Sequence, residues 1–175
     1  RGGFCSEWYQ SCRLMLTAQD GAQVPVSLVW RRDCFAPEAN PLLVQGYGAY
    51  GLSEEPDFSA ERLSLLDRGF VIALAHVRGG EELGRHWYEQ GRGHHKLNTF
   101  YDFIDVTRGL LASGWGDPQR VFAYGGSAGG LLVGAVLNMA PELYCGAIAA
   151  VPFVDVLTTM QDPSLPLTTG EYDEW

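Results

Sequence analysis

The heptapeptide Tyr124-Gly125-Gly126-Ser127-Ala128-Gly129-Gly130 stands between a short apolar run, Arg120–Tyr124, and a segment of helical composition, Ala128–Met139. It contains Gly-x-Ser-x-Gly centred on Ser127, in the strand, turn and helix order that a nucleophile elbow requires. Glycine at 125 and 129 removes two Cβ atoms from a sharp turn, so that Ser127 can take a strained backbone and present its Oγ at the carboxyl edge of a sheet. The competing reading is the glycine-rich phosphate turn of a dinucleotide fold. That turn wants a later acidic residue on a second strand and has no need of a serine.

Outward from the elbow, short and almost continuous apolar runs recur at Pro41–Gln45, Phe70–His76 and Gly146–Val151, which together with Arg120–Tyr124 read as strands buried on both faces of a parallel sheet. Amphipathic segments alternate with them: Ser59–Arg68, Thr99–Ser113 and Ala128–Met139 are predicted helices. Near the N-terminus, Arg13–Ala18 and Gln23–Trp30 flank Asp20-Gly21 and read as an antiparallel hairpin. The predicted fold class is α/β, a mostly parallel sheet with N-terminal antiparallel strands and right-handed crossovers, in one domain.

Composition narrows the function classes. The 175 residues carry 12 Lys and Arg against 21 Asp and Glu, a net charge of −9, which argues against nucleic-acid backbones as partners. No apolar stretch approaches the roughly 18 to 20 residues of a membrane span, and no apolar leader is visible, so no membrane partner is expected. Residues 101–175 hold only two of the basic side chains and nine of the acidic ones, with no Lys or Arg after Arg120. That acidic stretch is either a solvated face or a local site for a cation. Cys5, Cys12, Cys34 and Cys145 form no CxxC pair and read as ordinary thiols in a reducing cytoplasm, although a Cys5–Cys12 bridge stays open. His94-His95 lies in a polar loop and reads as surface rather than as a metal site.

A serine alone is a poor nucleophile, and on an elbow of this kind its acid and base follow it in the order Ser, Asp or Glu, His. His76, His86, His94 and His95 all precede Ser127. His76 ends a strand and could approach the elbow, yet its place in the order is wrong, and a structural role is expected.

Gly46-Tyr47-Gly48-Ala49-Tyr50-Gly51, Arg62–Phe70, Ala75–Gly80, Gly125–Gly130, Val151–Val156 and Pro166–Trp175 together resemble the prolyl oligopeptidase family of serine peptidases, and within it the oligopeptidase B branch. The resemblance runs over nearly the whole chain; Val106, where the family usually has a small Ala, is a departure that concerns helix packing. It implies an α/β-hydrolase peptidase domain of which residues 1–175 are the N-terminal and central part, incomplete at the C-terminus. A β-propeller and the segment carrying the catalytic Asp and His are expected outside these residues, so Asp155, Asp162 and Asp173 are not assigned to the triad. It further implies cleavage of short peptides after Lys or Arg, with no cofactor and no metal, and an oxyanion site made by the Tyr47 hydroxyl and the Ala128 amide. The plainer reading of Tyr47 is a packed aromatic in a glycine-rich loop.

The same resemblance places substrate-binding acids at Glu171 and Asp173 for a basic P1 residue, and at Glu55 and Asp57 for a basic P2 residue. A guanidinium leaving water needs a carboxylate, which it can engage bidentately. Glu171 is expected to be the primary P1 contact, since no Lys or Arg follows Arg120 to pair with it; Asp173 is secondary, because residues two apart in an extended segment face the same side. A solvated loop acid is the alternative for Glu171. For the chain as a whole, an esterase or lipase with the same elbow and an apolar acyl pocket is one alternative, and a non-catalytic binding fragment is another.

Overall fold

The computed structural model describes residues 3–166, 168 and 170–175. Six strands, β1 (Tyr9–Thr17), β2 (Gln23–Arg31), β3 (Leu42–Gln45), β4 (Val71–Ala75), β5 (Val121–Gly126) and β6 (Gly146–Ala150), form one sheet in the order β1-β2-β4-β3-β5-β6. The β1–β2 hairpin is antiparallel and joins β4 antiparallel, while β4, β3, β5 and β6 are mutually parallel. The helices are α1 (Ala60–Leu66), α2 (Arg85–Glu89), α3 (Leu97–Ala112), α4 (Ala128–Met139) and α5 (Val156–Gln161). Among the described residues no helix is long and apolar enough to cross a membrane.

The expected strands and three longer helices are all present, with shifted ends. β1 starts four residues before Arg13, because Tyr9 pairs with Arg31 and donates its hydroxyl to Asp67 at 2.6 Å, contacts that a polar Gln10-Ser11 pair does not announce. The helices α2 and α5 went unpredicted: at five and six residues they are shorter than the window in which a 3.6-residue period can be read.

The strand pleat sorts the core into two layers. Leu42 and Val44 of β3 and Ala73 of β4 point to the side covered by α3 and α4, where Phe103, Leu110, Leu132 and Val136 are fully buried. Leu43 and Ile72 point to the other side and meet Leu63 and Leu66 of α1. Val106 is buried in the α3 layer, so the larger side chain is accommodated inside the packing.

After β4 the chain is pinned to α3 by a buried ion pair. Arg78 donates to both oxygens of Asp102, at 2.5 and 2.9 Å, and to Asp20 at 2.6 Å. Burial presses the Arg78 guanidinium toward neutrality, but Asp102 and Asp20 outweigh it and hold it charged. Burial likewise pushes Asp102 up against the pull of Arg78; the bidentate geometry is that of an ionised pair. A lone charge left in that position would cost several kcal/mol.

The connection from β3 to β4 moves toward the hairpin edge, and that from β5 to β6 moves toward the opposite edge. The sheet therefore has its switch point between β3 and β5, where Gln45 lies opposite Tyr124. Loops leaving the carboxyl ends of these two strands diverge and leave a crevice, the usual ligand position in an open α/β sheet.

Candidate functional site

Two loops line that crevice, Gly46–Gly51 after β3 and the elbow after β5. Ser127 has φ 53° and ψ −114°, a left-handed conformation that a non-glycine residue adopts only where its surroundings impose it. The imposing contacts are main-chain ones. Ser127 N–H donates to the Ala150 carbonyl of β6 at 2.9 Å, and its carbonyl accepts from Gly130 at 2.9 Å and Phe153 at 3.0 Å. A Cβ on Gly125 would strike the Gly129 carbonyl, and one on Gly129 would lie 2.6 Å from the Gly46 carbonyl, so both glycines are there for close approach. The Ser127 side chain is exposed and caps nothing, and its Oγ stands at the positive end of the 12-residue α4. Ala128 supplies the first amide of that helix, which by helix geometry has no acceptor within it.

Tyr47 packs beside the elbow: a Cβ on Gly129 would be 3.5 Å from its ring. Burial pushes the Tyr47 phenol up, the neighbouring Ser127 side chain pulls it down, and the charges of Glu171, Glu54 and Glu174 push it up again. The net direction is upward, so Tyr47 keeps its proton and remains a donor. One O–H and one N–H thus flank the exposed Ser127 hydroxyl, an arrangement able to hold negative charge on a carbonyl oxygen under attack.

The acidic C-terminal segment folds onto the same loop. Tyr50 donates its hydroxyl to Glu171 at 2.6 Å and accepts from the Trp175 indole at 3.2 Å, while its backbone N–H donates to Glu174 at 2.6 Å. Glu174 is buried and also accepts from the Tyr88 hydroxyl. Burial, followed by the bond to Glu171, drives the Tyr50 phenol far above its ordinary range, so it too stays a donor. Glu171 is only half-buried and lies at the rim of the crevice.

The expectation that Glu171 and Asp173 share a face rests on an extended segment, and that premise fails. Tyr172–Glu174 is a turn of 3-10 helix, which sends Asp173 outward to a groove of about 460 Å³ lined by His94, Leu157, Met160 and Trp175. The sequence assumption failed because the turn is set by the burial of Glu174, whose partner Tyr50 is 124 residues away.

Glu55 and Asp57 are both exposed on the loop before α1. Asp57 is engaged by Arg62 at 3.1 Å, an exposed pair of little energetic weight. Their neighbour Glu54 is half-buried, accepting from Gln45 at 3.2 Å, and burial raises its carboxyl above the ordinary range. One oxygen of Glu54, one of Glu82 and Nδ1 of His76 are buried without a hydrogen-bond partner. His76 is used inside the fold: Nε2 meets the Ser27 hydroxyl at 2.8 Å and Nδ1 lies 3.5 Å from Glu82. Among the described residues no histidine is hydrogen-bonded to Ser127, and no three His, Cys, Asp or Glu side chains converge as metal ligands. The four cysteines are all free thiols.

Sequence reasoning missed Tyr50 and Glu174. The Gly-Tyr-Gly-Ala-Tyr-Gly loop held a signal for Tyr50, a second aromatic at the same sheet edge. Nothing local separates Glu174 from Asp173.

Residues 56–175 match the sequence model of the Prolyl oligopeptidase family. The chain is 54% identical over 174 residues to dipeptidyl aminopeptidase BI of Pseudoxanthomonas mexicana, covering 99% of this chain and 24% of that protein. Among solved structures it is similar to oligopeptidase B from Leishmania major, with a TM-score of 0.96 and 50% identity over 99% of this chain and 24% of that one. It is equally similar to oligopeptidase B from Trypanosoma brucei with covalently bound antipain, with a TM-score of 0.96 and 52% identity over 99% and 25% of the respective chains. The chain spans about a quarter of the length of the curated relatives it matches.

Proposed function

The chain belongs to the prolyl oligopeptidase family and has the α/β-hydrolase fold, and from that premise we propose that residues 1–175 are the N-terminal and central part of a serine peptidase catalytic domain that cleaves short peptides after Lys or Arg. Ser127 Oγ attacks the scissile carbonyl carbon, its proton passes to an imidazole, and the carbonyl oxygen becomes an oxyanion held by the Tyr47 hydroxyl and the Ala128 amide. Collapse expels the amine, which takes the proton, and leaves an ester on Ser127 that water hydrolyses. Neither imidazole nor orienting acid is at hand among the described residues, so both come from a part of the protein outside this segment, as does a propeller limiting access to short peptides. The four free thiols fit a cytoplasmic protein.

The observation that carries the reading is the left-handed Ser127, exposed, with Tyr47 beside it. For specificity the support is Glu171: Tyr50 occupies one carboxylate oxygen, leaving the other for a guanidinium or ammonium at the rim. Asp173 is a secondary contact, reached only by a side chain that extends into the neighbouring groove, and Glu55 with Asp57 meets a basic P2 residue. In the full-length protein a fluorophosphonate is expected to label Ser127, and Ser127→Ala to abolish both label and peptidase activity. A label mapped to another serine, or an active Ser127→Ala protein, would refute the assignment.

The identity to a dipeptidyl aminopeptidase favours one further reading, in which the enzyme releases dipeptides from a free N-terminus. Paired substrates with free and blocked termini separate the two: cleavage of the blocked peptide after Arg supports the endopeptidase, and cleavage of the free one alone supports dipeptide release.

A further inference from the structure

Beneath the Tyr47 loop, three stretches of backbone touch with no side chain between them. A Cβ on Gly79 would strike the Gly48 carbonyl, one on Gly91 would strike the backbone of Arg78 and Gly79, and one on Gly48 would lie 3.1 Å from the Arg78 carbonyl. So close an approach leaves carbonyls pointing inward that no strand ladder serves. The first turn of α3 and the residue before it supply the donors. Thr99 gives its hydroxyl to the carbonyls of Arg78 at 2.7 Å and Gly91 at 3.1 Å, and Lys96 gives its ammonium to the carbonyls of Gly48 and, at 3.3 Å, Gly91. Lys96 also stands 5.1 Å from the centre of the Trp175 ring and is attracted by the Glu174 carboxylate. Glu174 in turn holds the N–H of Tyr50.

We propose that Lys96 is a positioning residue for the oxyanion site: its ammonium, fixed between the Gly48 carbonyl on one side and Glu174 with Trp175 on the other, clamps the turn Tyr47–Tyr50 at both ends and so aims the Tyr47 hydroxyl at the elbow. The inference rests on the roles given above to Ser127 and Tyr47. Lys96 itself touches neither, and its effect on chemistry runs through Gly48, the residue next to Tyr47.

Titration gives the clamp a signature. Burial pushes the Lys96 ammonium down to about 8, against the opposing pull of Glu174. The charged groups around it are Glu174 itself, which also meets Tyr88, and behind Tyr88 the Arg92 guanidinium at 3.1 Å from that hydroxyl; Glu171 lies beyond Tyr50. The phenols of Tyr47, Tyr50 and Tyr88 are all raised, so they keep their protons while Lys96 titrates. Above pH 8 the neutral amine loses its attraction to Glu174 and the indole, and the turn loosens. Stability moves the other way. A lysine whose folded pKa lies below its unfolded value binds fewer protons in the folded state, so between about pH 8 and 10.5 this group makes folding more favourable as pH rises. A structural lysine would thus give no loss of turnover in a window where its own contribution to stability improves.

The test uses the full-length enzyme and an N-blocked arginyl amide. Wild-type kcat is expected to fall about sixfold between pH 7.5 and 9.5 without loss of folded protein. Lys96→Arg, which keeps its charge, should move that limb above pH 9.5. Lys96→Met should lower kcat at pH 7.5 about tenfold with KM within twofold, but change it less than twofold in a Tyr47→Phe background, since two residues acting through one hydroxyl are not additive. Should both Lys96 variants fail to fold, the alkaline limb of wild type is expected to vanish in Tyr47→Phe, a comparison that leaves Lys96 in place. A limb near pH 8 that survives in Lys96→Arg or in Tyr47→Phe overturns the proposal, as does a Lys96→Met enzyme with wild-type kcat. Full activity of Tyr47→Phe alone is a different failure: it removes Tyr47 from the oxyanion site and the clamp with it.

Discussion

Gly129→Ala and Gly126→Ala place the same methyl group three residues apart in one motif and are expected to have opposite outcomes. A Cβ at 129 would sit 2.6 Å from the Gly46 carbonyl oxygen, whereas ordinary contact begins near 3.4 Å, so the two backbones must part by 3.4 − 2.6, or about 0.8 Å. Neither side can rotate away. Gly46 is tied to β5 through its N–H to Tyr124 at 3.2 Å, and Gly129 lies in the first turn of α4. The movement therefore falls on the register between Ser127 and the residue after Gly46, which is Tyr47. Overpacking of this kind costs about 1–3 kcal/mol of stability, and a misplacement of roughly 1 Å between reacting groups costs on the order of 10²-fold in rate. A Cβ at 126 meets nothing closer than 3.7 Å, so Gly126→Ala should stay within about 0.5 kcal/mol of wild type. Steady-state turnover of an N-blocked arginyl amide by the full-length enzyme, normalised to sites counted by a fluorophosphonate, gives the rate; a thermal melt gives the stability. Wild-type kcat in Gly129→Ala, or equal damage from the two alanines, would refute the claim that this contact sets the distance between Ser127 and Tyr47.

Three further outcomes follow from the same geometry. Glu171→Gln keeps an acceptor for the Tyr50 hydroxyl but removes the charge, and should lower kcat/KM for Arg and Lys substrates by about 2–4 kcal/mol while sparing a small activated ester; equal losses on both would indicate a folding defect instead. Asp102→Ala strands the Arg78 guanidinium in the interior and should destabilise by about 3–5 kcal/mol in a urea titration, with a loss under 1 kcal/mol showing that Asp20 alone suffices. Residues 1–175 expressed alone should turn over no peptide, because no imidazole reaches Ser127; robust activity of a pure sample would bring His76 or His86 back as the base.

What the sequence disclosed depended on how local each cause is. The elbow's signature is local: Gly125, Ser127 and Gly129 lie within five residues, and the adjacent strand and helix are continuous with them, so the turn was legible although the distant groups that hold it, Ala150, Phe153 and Gly46, were not. The parallel strands were legible because burial on both faces leaves unbroken apolar runs such as Val71–Ala75. Where a partner lies far along the chain, the signal disappears. The turn of Tyr172–Glu174, the ion pair of Arg78 with Asp102 and the lysine beneath the Tyr47 loop are all settled by groups 24 to 124 residues distant. The acidic C-terminal stretch illustrates the same division. Its excess of negative charge was evident in the composition, but that Glu174 faces inward and Asp173 outward was not.

The main-chain anchoring of Ser127 has a consequence for how such an enzyme diversifies. Its amide and carbonyl are tied to Ala150, Gly130 and Phe153, all on the unit that runs from β5 through α4 past β6, whereas the Glu171 carboxylate is held by a single side-chain bond to Tyr50. On the roles proposed above, the attacking group is held by atoms that every amino acid possesses, and the selecting carboxylate by a side-chain bond that one substitution can remove. Mutational drift can exchange Tyr50 or Glu171 and retune which side chain is accepted while the centre of attack stays where it is. Changes of preference within such a scaffold are expected to accumulate at the rim first, with the chemistry inherited unchanged.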